Sequence, residues 1–477
     1  MRLSELLDVP VGVDPAVDAE VTGFAIDHRK VAPGTVFGAF QGSSRNGEDF
    51  IPAAIAAGAV AVVARPEAQV SGALHVADAE PRRRFADLAA RYFAPYPETI
   101  VAVTGTNGKT STVEMTRQLW RMAGHRSASV GTLGVTTADD QVKTGLTTPD
   151  IVTFLSNMAG LRTMGIGHVA YEASSHGLDQ YRSEGLPVAA AAFTNFSRDH
   201  LDYHGTMEAY FEAKMRLFEE VVEEGGSAVI WTGDPRSREV AERARRRGLQ
   251  LLTVGPGGET IDLKARSASP LGQTLQLGHG DRDWTLKLPL IGAYQAANVL
   301  VAAGLVLATG GEWAQTFAGL ARLSPVRGRL ERAVITKAGA PVYIDYAHTP
   351  DALDAAIAAL RPHVEGRLIT VFGAGGDRDE GKRPEMGRVA AAASDLVIVT
   401  DDNPRSEDPA NIRRAILEAA PDAREIGGRR EAIAAALAEA RDGDIVLLAG
   451  KGHETVQIVG DSAMPFDDAQ VARECAA

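Results

Sequence analysis

The sequence predicts an α/β protein built from three domains. Its 477 residues correspond to about three domains at roughly 150 residues each. At 101–111 an apolar strand runs into a glycine-rich loop and a helix, which is typical of a parallel α/β sheet. A second series of alternating strands and helices starts after the Arg-Gly-Arg segment at 327–329. We therefore expect a small N-terminal α/β domain at 1–97, a central P-loop-type domain with a mostly parallel sheet at 98–327, and a Rossmann-like doubly wound C-terminal domain at 328–477.

In the first domain, apolar segments at 36–40 and 59–64 predict strands. The stretch 51–57 between them has helical character. A proline-bearing connector at 94–97 leads to the strand before the glycine-rich loop. This pattern predicts a small α/β unit that is separate from the next sheet.

The central domain alternates strands and helices, which predicts a mostly parallel sheet. Its clearest apolar strands are 167–171, 189–194 and 226–231. One local exception is expected at 274–277 and 284–288, where alternating apolar residues flank a Gly-His-Gly-Asp turn. That pair predicts a peripheral antiparallel hairpin.

The third domain repeats the same pattern with four predicted strands. They lie at 342–345, 368–372, 396–400 and 445–449, with helical segments between them. This spacing predicts a doubly wound sheet.

The glycine-rich loop has the residues needed to bind nucleotide phosphates. Gly105 and Gly108 allow the backbone to bend so that successive N–H groups face a phosphate, and the following helix adds its positive end. Lys109 is placed to reach the β- and γ-phosphates, and the Thr110 hydroxyl to bind Mg²⁺. Only two residues separate the glycines, against four in the general pattern, so the loop is a shortened relative. The segment predicts ATP binding; the alternative is an ordinary strand-to-helix turn.

Composition excludes several functional classes. With 49 basic and 62 acidic residues the formal charge is −13, which argues against general affinity for nucleic acid or an anionic membrane. Cys475 is the only cysteine, so neither a disulfide framework nor a cysteine metal cluster is expected. No apolar run approaches about 18 residues and no signal peptide is evident. We expect a cytoplasmic protein without a membrane span.

Three strands of the third domain are each followed by a polar loop. These loops are 373–378, 401–405 and 450–454. In open parallel sheets, ligands bind beyond the carboxyl ends of the strands, so the loops are expected to converge on one small charged molecule. The alternative is that they are ordinary glycine-rich turns with surface ion pairs.

Charged side chains in these loops suggest an amino acid as the ligand. Arg378 and Arg405 are suited to clamp carboxylates, whereas Asp402 and Glu454 are suited to accept from an ammonium group. A dinucleotide site is a weaker interpretation, because the glycines of 373–378 do not complete the G-x-G-x-x-G pattern.

Four motifs in this order resemble the Mur ligases of bacterial cell-wall synthesis. They are TGTNGKTS at 104–111, YEASSHG at 171–177, NFSRDH at 195–200 and DYAHTP at 345–350. The resemblance covers nearly the whole chain. It implies an N-terminal domain for a UDP-sugar, a central ATPase domain and a C-terminal domain for an incoming amino acid.

Within that family the chain resembles the ligase that adds the third amino acid to UDP-N-acetylmuramoyl-L-alanyl-D-glutamate. The loop at 402–405 resembles the form that selects meso-diaminopimelate over L-lysine. The resemblance therefore implies an ATP- and Mg²⁺-dependent amide ligase that acts on these two small molecules. A cytoplasmic, monomeric enzyme is expected.

The resemblance also implies roles for individual residues. The nucleotide would be held by Gly105, Thr106, Asn107, Gly108, Lys109, Thr110, Ser111, Asn298, Arg329 and Asp345. The metal ligands would be Thr110, Glu172, His200 and Lys214, the last as a carbamate. The catalytic residues would be Lys109, Glu172, His200, Lys214, Arg329 and His348. The two substrates would be bound by Ser43, Thr147, Thr148, Ser174, Gln180, Arg182, Arg378, Asp402, Asn403, Arg405, Gly450 and Glu454.

Two positions depart from the family pattern. Gln295 stands where an asparagine is usual, and His28 replaces a common serine near the expected uridine pocket. These departures concern contacts to adenine and uracil.

Two other classes of function remain open from the sequence. One is a related amide ligase, such as a folate polyglutamylating enzyme, which would need a different N-terminal domain. The other is a nucleotide-operated switch or a UDP-sugar binding module; a guanine-type switch would usually carry an Asn-Lys-x-Asp motif, which the sequence lacks.

Overall fold

The computed structural model describes residues 1–8, 19–42, 46–142, 145–269 and 272–476. The strands in these ranges form sheets of four, eleven and six strands and one two-stranded hairpin. No described helix has the length and apolar character needed to cross a bilayer.

The four-stranded sheet is parallel and lies in the N-terminal region. Its strands, in spatial order, are β1 (Gly23–Ala25), β2 (Thr35–Gly38), β3 (Ala59–Ala64) and β4 (Leu74–Ala77). Its helices are α1 (Leu3–Leu7), α2 (Ile51–Ala56) and α3 (Pro81–Phe93). Apolar residues of α2 pack on one face of the sheet, and those of α1 and α3 on the other. The predicted strands and helix of this region are confirmed.

The eleven-stranded sheet forms the centre of the molecule. Its strands are β5 (Thr99–Thr104), β6 (Ser127–Gly131), β7 (Gly134–Thr136), β8 (Gln141–Val142), β9 (His168–Glu172), β10 (Val188–Phe193), β11 (Val222–Trp231), β12 (Gln250–Gly255), β13 (Ile261–Ser269), β14 (Gly272–His279) and β15 (Arg282–Leu288). The spatial order is β15-β14-β13-β12-β11-β10-β5-β9-β6-β7-β8. The β14–β15 hairpin is antiparallel, as predicted.

Eight helices belong to this region. They are α4 (Lys109–Met122), α5 (Ile151–Thr163), α6 (Ser175–Asp179), α7 (Leu201–His204), α8 (Met207–Arg216), α9 (Ser237–Arg246), α10 (Ala293–Ala308) and α11 (Trp313–Leu320). Helix α10 is apolar on almost all sides and is buried against α4 and the sheet.

One part of the central sheet differs from expectation. A second antiparallel set, β6-β7-β8, closes the edge opposite the β14–β15 hairpin. Strands β7 and β8 have three and two residues. Segments this short carry too little alternation for the sequence to indicate a strand.

The six-stranded sheet forms the C-terminal region. Its strands are β16 (Arg329–Ile335), β17 (Pro341–Asp345), β18 (Leu368–Phe372), β19 (Leu396–Val399), β20 (Arg424–Glu425) and β21 (Ile445–Ala449), in the order β16-β17-β21-β18-β19-β20. A separate hairpin consists of β22 (Val456–Val459) and β23 (Ser462–Pro465). The helices are α12 (Pro350–Leu360), α13 (Lys382–Ala393), α14 (Pro409–Leu417), α15 (Arg429–Glu439) and α16 (Asp468–Ala476).

Only β16 runs antiparallel in this sheet. Helices α12, α13 and α14 cover one face, and α15 and α16 cover the other. The doubly wound arrangement is therefore confirmed. It directs the loops after β18, β19 and β21 to the same edge.

Candidate active site

The phosphate-binding loop lies at the middle of the central sheet. Strand β5 pairs with β10 on one side and β9 on the other, and the loop follows its carboxyl end. Gly105 and Gly108 have φ angles of 144° and 87°, which other residues rarely adopt. A Cβ at Gly105 would collide with Thr194, and one at Gly108 with Asn298. Both glycines are therefore required by conformation and by close packing.

Two lysine side chains meet at one carbonyl of this loop. Lys109 Nζ donates to the carbonyl oxygens of Gly105 and Thr106, each at 2.8 Å. Lys214 Nζ donates to the same Gly105 oxygen at 2.9 Å, and its residue is only 1% exposed. Burial and the charge of Lys109 lower the pKa of Lys214 well below its usual range. Lys214 is therefore suited to be a neutral amine.

Glu172 is the last residue of β9, and His200 lies in the segment after β10; these two strands flank β5. The Glu172 carboxylate accepts from the backbone N–H of Thr132 at 2.7 Å and from the Thr132 hydroxyl at 3.1 Å. The backbone N–H of His200 donates to Asp199 Oδ1 at 2.9 Å, and His200 has a left-handed backbone conformation. Burial lowers the pKa of His200 to about 4, so its ring is neutral near pH 7.

Arg329 reaches from the C-terminal sheet to the phosphate-binding loop. Its Nη2 donates to Thr110 Oγ1 at 3.2 Å, and its guanidinium lies 4.5 Å from the centre of the Tyr346 ring. Its strand partner Asp345 accepts from Leu330 N at 2.7 Å. The guanidinium of Arg329, which belongs to the C-terminal sheet, therefore lies beside the phosphate-binding loop of the central sheet.

A cleft of about 800 Å³ lies between the central and C-terminal sheets. The predicted site residues that line it are Thr147, Thr148, Ser174, Arg182, His200, His348, Arg378, Asp402, Asn403, Arg405, Gly450 and Glu454. Gln180 does not line the cleft, but its Oε1 accepts from Arg182 Nη2 at 2.7 Å. Ser43 lies outside the described residues.

The wall of the cleft on the central sheet includes hydroxyl groups, two arginines (Arg182 and Arg198) and two carboxylates (Asp199 and Asp202). The Thr148 and Ser174 hydroxyl oxygens are 2.9 Å apart, and Ser174 Oγ also accepts from Gly177 N at the start of α6. Arg182 Nη1 donates to the Thr148 carbonyl at 2.8 Å. This wall therefore offers neutral donors and charges of both signs.

The opposite wall is formed by the three predicted loops of the C-terminal sheet. Asn403 Nδ2 donates to Glu454 Oε2 at 2.8 Å, and Arg405 Nη1 donates to the Gly376 carbonyl at 2.7 Å. Gly450 has a φ of 109°, and a Cβ there would lie 2.6 Å from Asp402 Oδ2. The loops therefore do converge, and this wall carries both signs of charge.

His348 lies in the segment that follows β17 and lines the cleft. Its Nδ1 lies 2.9 Å from the Tyr346 carbonyl, so this nitrogen carries the proton. Burial, followed by the charge of Lys382, lowers the pKa of His348. The other ring nitrogen is thus an acceptor near pH 7.

Asp199, Lys382 and Lys451 are among the charged residues of this site that sequence reasoning missed. Asp199 and Lys382 line the cleft, and burial lowers the pKa of Lys382. Lys451 lies within the predicted 450–454 loop and has no exposed surface. A lysine in a loop ordinarily indicates a solvated side chain, so only the buried position distinguishes it.

Both departures from the family pattern take part in contacts. Gln295 Nε2 donates to the Arg329 carbonyl at 3.1 Å, and Asn298 Nδ2 lies 3.4 Å from Gln295 Oε1. The His28 ring stacks on Phe50 with 4.4 Å between centres.

Three family models match successive parts of the chain. They are described as Mur ligase family, catalytic domain, at 20–98; Mur ligase middle domain, at 103–306; and Mur ligase, glutamate ligase domain, at 328–452.

Similar proteins cover nearly the whole length. A protein of Zymomonas mobilis named UDP-N-acetylmuramoyl-L-alanyl-D-glutamate--2,6-diaminopimelate ligase is 59% identical over 96% of this chain and 95% of its own. A solved structure with the same enzyme name is 32% identical, covers 100% of this chain and 98% of its own, and has a TM-score of 0.73. The Thermotoga maritima MurF ligase in complex with ADP is 21% identical, covers 90% and 94%, and shares the fold with a TM-score of 0.60. This chain belongs to the Mur ligase family.

Proposed function

We propose that this chain joins meso-diaminopimelate to the γ-carboxylate of the D-glutamyl residue in UDP-N-acetylmuramoyl-L-alanyl-D-glutamate, at the expense of ATP. The observation that carries this proposal is the cleft between the two sheets, together with the Arg329–Thr110 hydrogen bond that connects the C-terminal sheet to the phosphate-binding loop. Relatives that are 46% to 59% identical bear the name of this reaction. The product is a precursor of peptidoglycan made in the cytoplasm.

The reaction proceeds through an acyl phosphate. The γ-carboxylate oxygen attacks the γ-phosphorus of ATP, and ADP leaves. The free amine of diaminopimelate then attacks the acyl carbon, an amide forms, and phosphate leaves with the bonding electrons while the amine loses a proton. No bond to the enzyme is required, so catalysis consists of positioning and charge stabilisation.

The phosphate-binding loop stabilises the charge of the transferred phosphoryl group. Lys109 and Arg329 supply positive charge from two sides, and the first N–H groups of α4 have no partner within the helix. His348 lines the cleft, and substrates that fill the cleft limit the access of water to the acyl phosphate.

The residues present fit a magnesium ion. Thr110, Glu172 and a carbamate on Lys214 would supply hard oxygen ligands, and His200 would supply a neutral nitrogen. A bound Mg²⁺ neutralises phosphate charge. The uncharged form of His200 favoured by its low pKa is the form that can bind a metal.

Carbamylation of Lys214 is supported by its surroundings. A carbamate forms when an unprotonated amine attacks carbon dioxide, and the low pKa of buried Lys214 favours that amine. The amine loses a proton as the C–N bond forms, and the resulting anion lies beside the Lys109 ammonium, which attracts it.

The C-terminal loops select the amino acid. Arg405 and Asn403 bind the distal carboxylate of diaminopimelate, and Arg378 binds its other carboxylate. Asp402 and Glu454 accept from the distal ammonium group. L-lysine has no distal carboxylate, so it leaves Arg405 without its partner.

We also propose that the domain boundaries lie near residues 97 and 327 and that the protein is a monomer. The boundaries are supported by the start of β5 at Thr99 and of β16 at Arg329. Size-exclusion chromatography with light scattering tests whether the protein is a monomer, and a measured mass of two chains would contradict that proposal.

The function is tested by phosphate release from Mg-ATP in the presence of UDP-N-acetylmuramoyl-L-alanyl-D-glutamate. The assay compares meso-diaminopimelate, L-lysine and no amino acid, and the product mass is determined. We expect release only with diaminopimelate and a product heavier by one such residue. Release without either co-substrate would indicate a nucleotide switch, and release with L-lysine would overturn the specificity.

A further inference from the structure

Lys451 is a buried cation behind the cleft wall formed by the loops 373–378, 401–405 and 450–454, which we call the amino-acid wall. It lies two residues after the end of β21, and its side chain has no exposed surface. Its Nζ donates to Asn403 Oδ1 at 3.1 Å, to Glu454 Oε2 at 3.0 Å and to the Val456 carbonyl at 2.7 Å. An ammonium group has three N–H donors, so every donor of Lys451 is used within the protein.

These bonds fix the orientation of the Asn403 carboxamide. Its Oδ1 accepts from Lys451 Nζ and from Ile458 N, the latter at 3.0 Å. The oxygen therefore faces two donors, which settles which atom of the amide is nitrogen. Nδ2 donates one N–H to Glu454 and retains a second N–H for a ligand in the cleft that Asn403 lines.

Lys451 also contacts only one of the two carboxylate oxygens of Glu454. Oε2 accepts from both Asn403 Nδ2 and Lys451 Nζ. Oε1 makes no hydrogen bond with any residue in the described ranges, and Glu454 lines the cleft. One oxygen is thus held in place while the other remains an acceptor.

The third bond of Lys451 ties the same unit to the hairpin that holds Arg405. Val456 is the first residue of β22, and Arg405 N donates to Ile458 O in that strand at 3.1 Å. Gly460 N donates back to Arg405 O at 2.6 Å. Arg405 has a φ of 52°, a conformation that residues with a side chain adopt only when their surroundings hold them there.

We propose that Lys451 is a positioning residue for an amino-acid substrate that carries both a distal ammonium and a distal carboxylate. It acts through Asn403 and Glu454, which it presents in one fixed arrangement, and through the hairpin behind Arg405. This inference rests on the proposed function, because that function defines the ligand of these side chains.

The test is the variant Lys451→Met, which keeps an unbranched side chain and removes the three donors. We expect the KM for meso-diaminopimelate to rise by about tenfold to a hundredfold, the effect of losing charge-assisted hydrogen bonds. The KM values for ATP and for the UDP-dipeptide should change by less than about twofold, because their sites do not contact Lys451. The ratio of kcat/KM for diaminopimelate over L-lysine should fall.

A matched control is Lys337→Met, which changes an exposed lysine of the same sheet region. It should leave all three KM values unchanged. If Lys451→Met does not fold, Lys451→Gln keeps amide donors, and it should show the same selective rise to a smaller extent. The ratio between the two amino acids does not depend on how much of the sample is active, so it separates positioning from a merely structural role.

An unchanged KM and an unchanged ratio in a folded Lys451 variant would overturn the inference. The wild-type enzyme in the same assay distinguishes a failure of the inference about Lys451 from a failure of the proposed function. Absence of diaminopimelate-dependent phosphate release from the wild type would overturn the proposed function itself.

Discussion

The phosphate-binding loop and the amino-acid wall of the cleft are built in different ways. The loop is one continuous segment, 105–111, whose backbone N–H groups and Lys109 are proposed to bind phosphate, and Lys214 from a later helix reaches its Gly105 carbonyl. The amino-acid wall uses side chains from three loops and a hairpin that are separated along the chain. A site made from backbone can be recognised from a local motif, whereas a site made from distant side chains depends on the fold.

The two regions also differ in their charge balance. Lys109 and Arg329 bring two positive charges to the loop, which suits a polyphosphate. On the other wall, Lys451 is paired with Glu454 at 3.0 Å, which suits a zwitterion. We therefore expect changes in the first region to affect turnover and changes in the second to affect the choice of amino acid.

The largest effect is expected from Lys109→Ala. Loss of a charge that stabilises the transferred phosphoryl group should lower kcat by about a thousandfold or more. Circular dichroism should show an unchanged fold. Lys287→Ala, which removes an exposed lysine of the same sheet, serves as the control. Retained turnover in correctly folded Lys109→Ala would disprove the assignment of this loop.

Lys214→Ala should be the next most severe change. Without the carbamate, turnover should fall by about a hundredfold or more, since a preorganised charged ligand is lost. A small carboxylate such as formate should restore part of the activity, because it can supply the missing oxygens in the space that is left. Lys109→Ala should gain nothing from formate. Equal responses of both variants would argue against a carbamate.

Arg405→Ala tests the opposite wall. An unpaired guanidinium should penalise L-lysine in the wild type by roughly 2 to 5 kcal/mol, so its removal should narrow the preference for diaminopimelate by about thirtyfold or more. The measurement is the ratio of the two kcat/KM values. Arg388→Ala, at an exposed site on α13, should leave that ratio unchanged. If Arg405→Ala also left it unchanged, this loop would not be the selector.

A smaller effect is expected from Gly108→Ala, for which Gly124→Ala is the matched control. Both glycines have a positive φ, 87° and 93°, so each change should cost about 1 to 3 kcal/mol of stability. Only at Gly108 would the new Cβ strike another residue, Asn298; at Gly124 it would meet open space. The KM for ATP should therefore rise about tenfold in Gly108→Ala alone. Similar KM values in the two variants would contradict the packing argument.

The smallest expected effect is a pH dependence of the free energy of unfolding. It comes from His168, which does not line the cleft. Burial, then the charge of His125, lowers the pKa of His168 to about 4 from its usual 6.5. The unfolded chain therefore binds more protons between these values, and stability should fall as the pH drops through this window. His168 is only partly buried, so solvent screening reduces its contribution. We expect His168→Gln to lose about 1 kcal/mol less stability than the wild type over this pH range.

Urea unfolding of wild type and His168→Gln near pH 7 and about pH 5 measures this difference. An equal loss of stability in both proteins would show that His168 does not contribute. The preference for diaminopimelate should be the same in both.

Much of the scaffold was predictable because its strands are continuous apolar runs. The predicted strands 59–64, 368–372 and 445–449 match the observed bounds residue for residue. The phosphate-binding loop was equally evident, because Gly105 and Gly108 have both a conformational and a packing requirement. Local sequence carries this kind of information.

The remaining features depend on contacts between distant segments. Asn403 and Lys451 are 48 positions apart, and they meet only because the loops after β19 and β21, on either side of β18, end at the same edge of the sheet. Nothing in the sequence distinguishes Lys451 from a solvated lysine. The same holds for the two-residue strand β8, which exists only because β7 pairs with it.

The central claim is that the C-terminal loops select a diamino acid with a distal carboxylate. It is tested most directly by competition: wild-type enzyme receives equal concentrations of meso-diaminopimelate and L-lysine with the UDP-dipeptide and Mg-ATP. Mass spectrometry of the early products gives the ratio of the two kcat/KM values. We predict that the diaminopimelate product exceeds the lysine product by at least about thirtyfold. Comparable amounts of the two products would contradict the account.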